Sequence, residues 1–157
     1  PFLSFTAEEA WQVFAPGTSR SVFTQTYWPL PEPDAAVLAK WQRIREIRDV
    51  VNKEIEAVRT TGQLGSSLQA EVTLAVNPAD RSMLETLGDA LKFVTITSNA
   101  ALSDAQQLGV RVTPATAKKC ERCWHYRGDV GSDAAHPTIC ARCCANLYGG
   151  GEHRTVA

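Results

Sequence analysis

The sequence predicts an α+β chain: a long amphipathic helix with a small helix/strand layer, followed by a small zinc-finger-like subdomain built on a treble cysteine knuckle. Three observations carry that prediction. Apolar residues recur at three- and four-residue steps from Val37 to Val58, as on one face of a helix. Residues 68 to 76 alternate apolar and polar side chains, the period of a half-buried strand. Four of the five cysteines stand as Cys120-Glu-Arg-Cys123 and Cys140-Ala-Arg-Cys143, with sixteen residues between the pairs.

At the N-terminus, residues 4 to 14 read as a short helix opened by Thr6, with Glu9 as the return half of a capping box. Its apolar face would hold Phe5, Ala10, Trp11 and Phe14, too much for one short helix to bury alone, so a partner layer is expected. Pro16-Gly17 and the Pro29-Leu30-Pro31-Glu32-Pro33 stretch then mark an extended linker, because proline removes a donor and drives its predecessor out of the helical region.

The long helix is expected from Asp34 to about Thr61, capped by Asp34 and closed by Gly62 in the left-handed position. Its stripe is Val37, Leu38, Trp41, Ile44, Ile47, Val51, Ile55 and Val58; Lys40, Arg43, Asp49, Lys53, Glu56 and Arg59 form the opposite, solvated face with helix-spaced ion pairs. A strand over 68–76 ends at Asn77-Pro78. A second helix is expected from about Ala79 to Ala90, then strands at Phe93–Thr97 and Val110–Thr113.

Two Cys-x-x-Cys knuckles at this separation have the form of a four-thiolate zinc site. Each tight turn aims two sulfurs at one point, and the loop between them completes a tetrahedron with Zn–S distances of about 2.3 Å. Cys120, Cys123, Cys140 and Cys143 are the expected ligands; Cys144 is a spare thiol or, alternatively, a replacement for Cys143. His125, His136 and His153 could also substitute, although polar surface is their expected place. Trp124 reads either as a lid on the metal site or as a base-stacking platform. The loop between the knuckles holds Gly128, Asp129, Gly131 and Pro137, as expected where order comes from an ion rather than from a core.

Four sulfurs leave no open coordination position, so the site is structural. There is no Gly-rich phosphate loop, no His-x-Glu deaminase pattern and no nucleophile elbow, and no catalytic residue is assigned. Taken alone, the chain reads as a binding module. The net charge of −1 divides unevenly: residues 118–157 hold six Lys/Arg against four Asp/Glu, which permits contact with a polyanion. No apolar run reaches the length of a membrane span and no signal peptide opens the chain, so a monomer in a reducing cytoplasm is expected. The start at Pro1, without Met, reads as the mark of a piece of a longer protein.

Lys119-Cys-Glu-Arg-Cys-Trp-His-Tyr126, Asp129-Val-Gly131, His136-Pro-Thr-Ile-Cys-Ala-Arg-Cys143, Asn146-Leu147 and Gly149-Gly-Gly-Glu-His-Arg154 together resemble the C-terminal zinc finger of bacterial isoleucyl-tRNA synthetases. A related finger ends the formamidopyrimidine-DNA glycosylases. Pro1-Phe-Leu-Ser-Phe-Thr-Ala-Glu-Glu-Ala-Trp11 resembles the last helix of the anticodon-binding bundle of class I synthetases. Val51-Asn-Lys-Glu-Ile-Glu-Ala-Val-Arg59, with Gly65 and Leu68-Gln-Ala-Glu-Val72, resembles the junction region that follows the bundle.

The resemblance implies three parts: residues 1–33 as the tail of the anticodon-binding helical bundle with its linker, 34–117 as an α+β junction domain, and 118–157 as a four-cysteine zinc finger. It further implies one structural Zn2+ and a parent isoleucine–tRNA ligase that uses ATP in a catalytic domain outside this chain. Neither His-Ile-Gly-His nor Lys-Met-Ser-Lys-Ser occurs here. The implied partners are tRNA(Ile) on its anticodon side and the remainder of the synthetase, with no membrane. Candidate RNA contacts are Lys118, Lys119, Arg122, Arg127, Arg142 and Arg154 for phosphates, with Trp124 and Tyr126 for stacking; an Arg beside thiolates can instead bond the cluster. Two alternatives stand beside this: a zinc-stabilised clamp with no RNA contact, and a DNA-binding finger of the glycosylase type. The glycosylase pattern expects Glu after the initial Pro, where Phe2 stands here. A further departure from the synthetase pattern is Cys144, at a position where an apolar residue is usual.

Overall fold

The computed structural model describes residues 3–17 and 20–152, which form two compact units divided between Asp34 and Ala35. Among the described residues no helix is long and apolar enough to cross a membrane.

The first unit holds helix α1, Ser4–Phe14, and a 3-10 turn over Val22–Thr24. Thr6 does not open the helix. Ala7 N already donates to Leu3 O at 2.6 Å, so the first turn starts at Leu3, which has no side-chain acceptor to offer. The carboxylate used is Glu8 rather than Glu9: it accepts from Ser21 Oγ at 2.7 Å and from Val22 N at 2.9 Å, tying the helix to the turn. The Ser21 bond, and then that from Gln12, hold the Glu8 carboxyl below its usual range. Trp11 is half-buried, its Nε1 donating to Arg20 O. Phe5 and Phe14 remain exposed, so the apolar face expected to need a partner layer is open within this unit.

In the second unit α2 spans Ala35–Thr60. Ile44, Ile47, Val51 and Ile55 are buried and Trp41 and Val58 pack beside them, but Val37 and Leu38 stand exposed, so the stripe engages the core only from its second turn onward. Gly62 closes the helix at φ 81°, its N–H on Arg59 O.

Strand β1, Ala70–Val76, alternates fully buried and half-buried side chains along its length. It is the centre of a three-stranded sheet, parallel to β2 (Asn99–Asp104) on one side and antiparallel to β3 (Gly109–Pro114) on the other. With both neighbours paired and Ala70, Val72, Leu74 and Val76 turned onto α2, β1 carries the core.

Between β1 and β2 the chain departs from expectation. Asn77 caps α3 through Asp80 N at 2.9 Å, and Pro78 takes its first position, but α3 ends at Glu85. Gly88, at φ 50°, opens a 3-10 turn, and the segment expected as strand 93–97 forms helix α4, Leu91–Thr95. Burial decides this: Leu87 and Leu91 both enter the core at a helical four-residue step, and Thr95 Oγ1 satisfies itself on Leu91 O at 3.1 Å. Ile96 turns the chain out of α4 in the left-handed region, at φ 55°. The unforeseen β2 starts only at Asn99.

Two residues of the solvated helix face cross to a neighbour: Lys40 Nζ donates to Thr86 Oγ1 at 2.7 Å, just past the end of α3, and Arg43 reaches the start of the same helix. Arg43 Nε and Nη2 grip Asp80 Oδ1 and Oδ2 at 2.9 and 2.8 Å, joining α2 to the start of α3, and Asn77 Nδ2 adds a third bond. Asp80 is buried, and Arg43 foremost holds its carboxyl below the usual range. Asp80→Ala should therefore cost about 2 kcal/mol in urea unfolding at pH 7. A carboxyl depressed in the folded state gives stability that is complete above its unfolded value of about 4 and lost as pH falls through the folded one, so the gap between wild type and variant should close below about pH 4.

Candidate metal centre

The cysteine segment begins as a hairpin: β4, Lys118–Lys119, pairs antiparallel with β5, Tyr126–Arg127. Its tip is the first knuckle. Cys120 O accepts from Trp124 N at 2.9 Å and Cys120 N donates to His125 O at 2.9 Å, a turn tight enough to hold Trp124 at φ 65°, where a non-glycine residue is strained. The following loop is brought back by Gly131, at φ 82°, whose N–H reaches Ile139 O. A Cβ at Gly131 would lie 2.8 Å from Pro137 O, so only glycine fits. Glu121 N then bonds Thr138 O and sets the second pair beside the first.

Cys140 caps helix α5, Ala141–Tyr148, and Cys143 sits in its first turn. The four sulfurs of Cys120, Cys123, Cys140 and Cys143 lie within 4.8 Å of one another. Cys120 to Cys143 and Cys123 to Cys140 each measure 3.8 Å. That matches the edge, about 3.8 Å, of a tetrahedron with Zn–S bonds of about 2.3 Å. The set is therefore suited to one zinc ion with no position left for substrate. Cys144 is outside it, because consecutive residues on a helix point about 100° apart and Cys143 is the one turned inward.

Electrostatics favour a cation at this point. Burial pushes the Cys140 thiol up to about 12 and raises Cys123 as well. At Cys120 burial is outweighed by N–H donors of Cys123, Cys140 and Arg122, and the thiol is drawn down to about 6. Thiols so closely set resist ionising together unless a divalent charge joins them. Cys140 N reaches Cys120 Sγ at 3.3 Å and Arg122 Nη1 reaches Cys143 Sγ at 3.6 Å, adding donors around the sulfurs.

The other candidate residues separate into two groups. Lys118, Lys119, Arg122 and Trp124 are exposed, with Lys119 Nζ 5.1 Å from the Trp124 ring centre and Trp124 Nε1 on Glu121 O. Tyr126, Arg127 and Arg142 are half-buried: Arg127 grips Asp129 at 2.8 and 2.9 Å, and Arg142 holds Glu152 at 2.6 Å. Arg154 and His153 lie outside the described residues. The other two histidines join no metal cluster. His125 is buried rather than on the surface, Nδ1 3.1 Å from Cys123 O and its ring edge-on to Phe93, because the knuckle folds it inward. His136 stacks on Tyr148 at 3.8 Å.

Two residues that the sequence did not single out fasten this segment to the helix–sheet layer. Ser98 Oγ donates to Leu68 O and accepts from Tyr126 N at 2.6 Å. Phe93 carries the Arg142 guanidinium 4.7 Å from its ring centre. A lone serine gives no sequence signal, and Phe93 was hidden by its strand-like neighbours.

Comparison with known proteins adds two family models and close relatives. The anticodon-binding domain of tRNA ligase matches residues 1–74, and the zinc finger found in FPG and IleRS matches residues 117–146. Isoleucine–tRNA ligase of Cupriavidus necator is 53% identical over 165 aligned positions, covering 100% of this chain and 17% of that protein. That of Ralstonia pickettii is 54% identical over 164, again covering 100% and 17%, and that of Bordetella petrii 53% over 168, covering 100% and 18%. The chain thus spans under a fifth of the length of the relatives it matches, in their C-terminal region.

Elemental emission should find one zinc per chain in the wild type and in Cys144→Ser, and well under one in Cys143→Ser. Equal loss in both serine variants would contradict the ligand set.

Proposed function

We propose, from the premise that this chain corresponds over its whole length to the C-terminal region of isoleucine–tRNA ligases, that it is the tRNA-binding and zinc-binding end of such an enzyme. The parent would join isoleucine to tRNA(Ile) with ATP in a catalytic domain outside these residues, in the cytoplasm and as a monomer. Residues 1–33 would then be the tail of the anticodon-binding bundle with its linker, 34–117 the junction domain and 118–157 the finger. The observation that carries the reading is the exposed basic and aromatic edge, Lys118, Lys119, Arg122 and Trp124, held on a hairpin by a closed four-sulfur cluster.

Within that edge the lysines are freest to neutralise phosphates, and Trp124 offers a flat face for a base. Arg122 divides between a phosphate and the Cys143 sulfur. Arg127 and Arg142 are engaged with carboxylates, so an RNA role for them requires exchanging Asp129 or Glu152 for a phosphate. Tyr126, with its N–H fixed on Ser98, could add a ring edge, and Arg154 is a further candidate cation from the sequence. The inward pairing of Arg127 and Arg142 is also what a zinc-stabilised clamp against the synthetase body would have, and this is the second reading.

Lys118→Gln/Lys119→Gln in the full-length synthetase should weaken tRNA(Ile) binding about ten-fold near physiological salt and flatten the log K against log salt slope by about one, with zinc retained. Unchanged affinity and slope would leave the clamp.

A further inference from the structure

A groove of about 350 Å3 runs between α2 and α4, lined by Trp41, Ile44, Arg45, Arg48, Phe93 and Ile96. That is the small end of ligand-sized clefts, about 300–1,000 Å3, with room for a single nucleotide rather than a helix. Its charge distinguishes it from the rest of α2. Arg43 and Arg59 on the same helix each meet a carboxylate, whereas among the described residues neither Arg45 nor Arg48 does. Arg45 Nη2 reaches Gln42 Oε1 at 2.9 Å, and among the described residues Arg48 Nε is buried with no hydrogen-bond partner. With no carboxylate beside them, the two guanidiniums leave uncompensated charge along the groove, and phosphate oxygens are the acceptors that a guanidinium pairs with best.

The groove's rim is also strained. Ile96 ends α4 in the left-handed region, where a β-branched residue is out of place, and its side chain is exposed. Trp41 and Phe93 add flat aromatic surface beside the two guanidiniums. Phe93 continues this surface to the finger, since Arg142 packs on its ring. Cations beside aromatic and apolar walls suit a phosphate joined to a ribose and base better than a lone carboxylate.

We infer that the α2–α4 groove is a nucleotide-binding subsite for the RNA partner, with Arg45 and Arg48 on a phosphate and Trp41 and Ile96 against the sugar or base. The inference rests on the tRNA-binding reading above and adds a second contact surface to the finger edge. The match of the anticodon-binding model to residues 1–74 includes the Trp41, Arg45 and Arg48 side of the groove.

The test is equilibrium binding of a tRNA(Ile) transcript to the full-length synthetase across a salt series. Arg45→Gln/Arg48→Gln should weaken binding at least ten-fold and flatten the salt slope by about one or more, while Arg45→Lys/Arg48→Lys keeps most of the slope. Ile96→Gly, which relieves the strained turn, should keep the thermal midpoint at or above wild type and lose affinity several-fold. Wild-type affinity and slope in the double Gln variant overturn the subsite; if Lys118→Gln/Lys119→Gln still weakens binding, the tRNA reading survives that loss. If neither pair of substitutions changes binding, both readings fall together. A double Gln variant that binds tRNA normally but unfolds or is proteolysed more readily assigns the groove to a protein contact instead.

Discussion

The order of the finger segment depends on four sulfurs meeting within 4.8 Å of one another. The buried cluster there consists of Cys120, Cys140 and Cys143, with only Cys123, Val130 and Ile139 packed alongside among the described residues. That much apolar surface cannot offset the ordering of a hairpin, a loop and a helix. The ion's bonds must do so, and the local backbone is arranged to let them: Trp124 accepts a strained turn, Gly131 sits where a side chain would collide with Pro137 O, and Cys140 places the start of α5 at the metal.

The helix–sheet layer is organised by the opposite means. Ala70, Val72, Leu74 and Val76 on β1 meet Ile44, Ile47, Val51 and Ile55 on α2, so apolar burial supplies the driving force and the polar ties only fix register. Arg43 and Asp80 are such a tie. They settle where α3 begins relative to α2, a matter that packing of similar aliphatic side chains leaves loose.

What the sequence disclosed follows from this division. The α2 stripe, the β1 alternation and the two knuckles are periodic or spaced signals written within single elements, and each was legible. The α4 segment was not, because Phe93-Val-Thr-Ile-Thr97 has high β propensity, and only the core position of Leu87 and Leu91 reveals that a helix satisfies it. Strand β2 was hidden for the converse reason: Asn-Ala-Ala-Leu-Ser-Asp lacks β-branched and aromatic residues and is a strand through its pairing with β1 alone. The site divides in the same way. Cysteine spacing named the sulfurs, but counting basic residues could not tell the exposed Lys118 and Lys119 from Arg127 and Arg142, whose charges are held by Asp129 and Glu152.

Ser98 joins these two differently built regions with one hydroxyl. Its single proton is committed to Leu68 O, which turns a lone pair toward Tyr126 N, so backbone donor, hydroxyl and backbone acceptor form a polarised chain of hydrogen bonds. Each bond in such a chain strengthens the other. The consequence is cooperativity between a metal-folded hairpin and an oil-folded sheet: fraying of the turn before β1 releases the hydroxyl rotor and loosens β5, and disorder in the hairpin is felt at the start of the central strand.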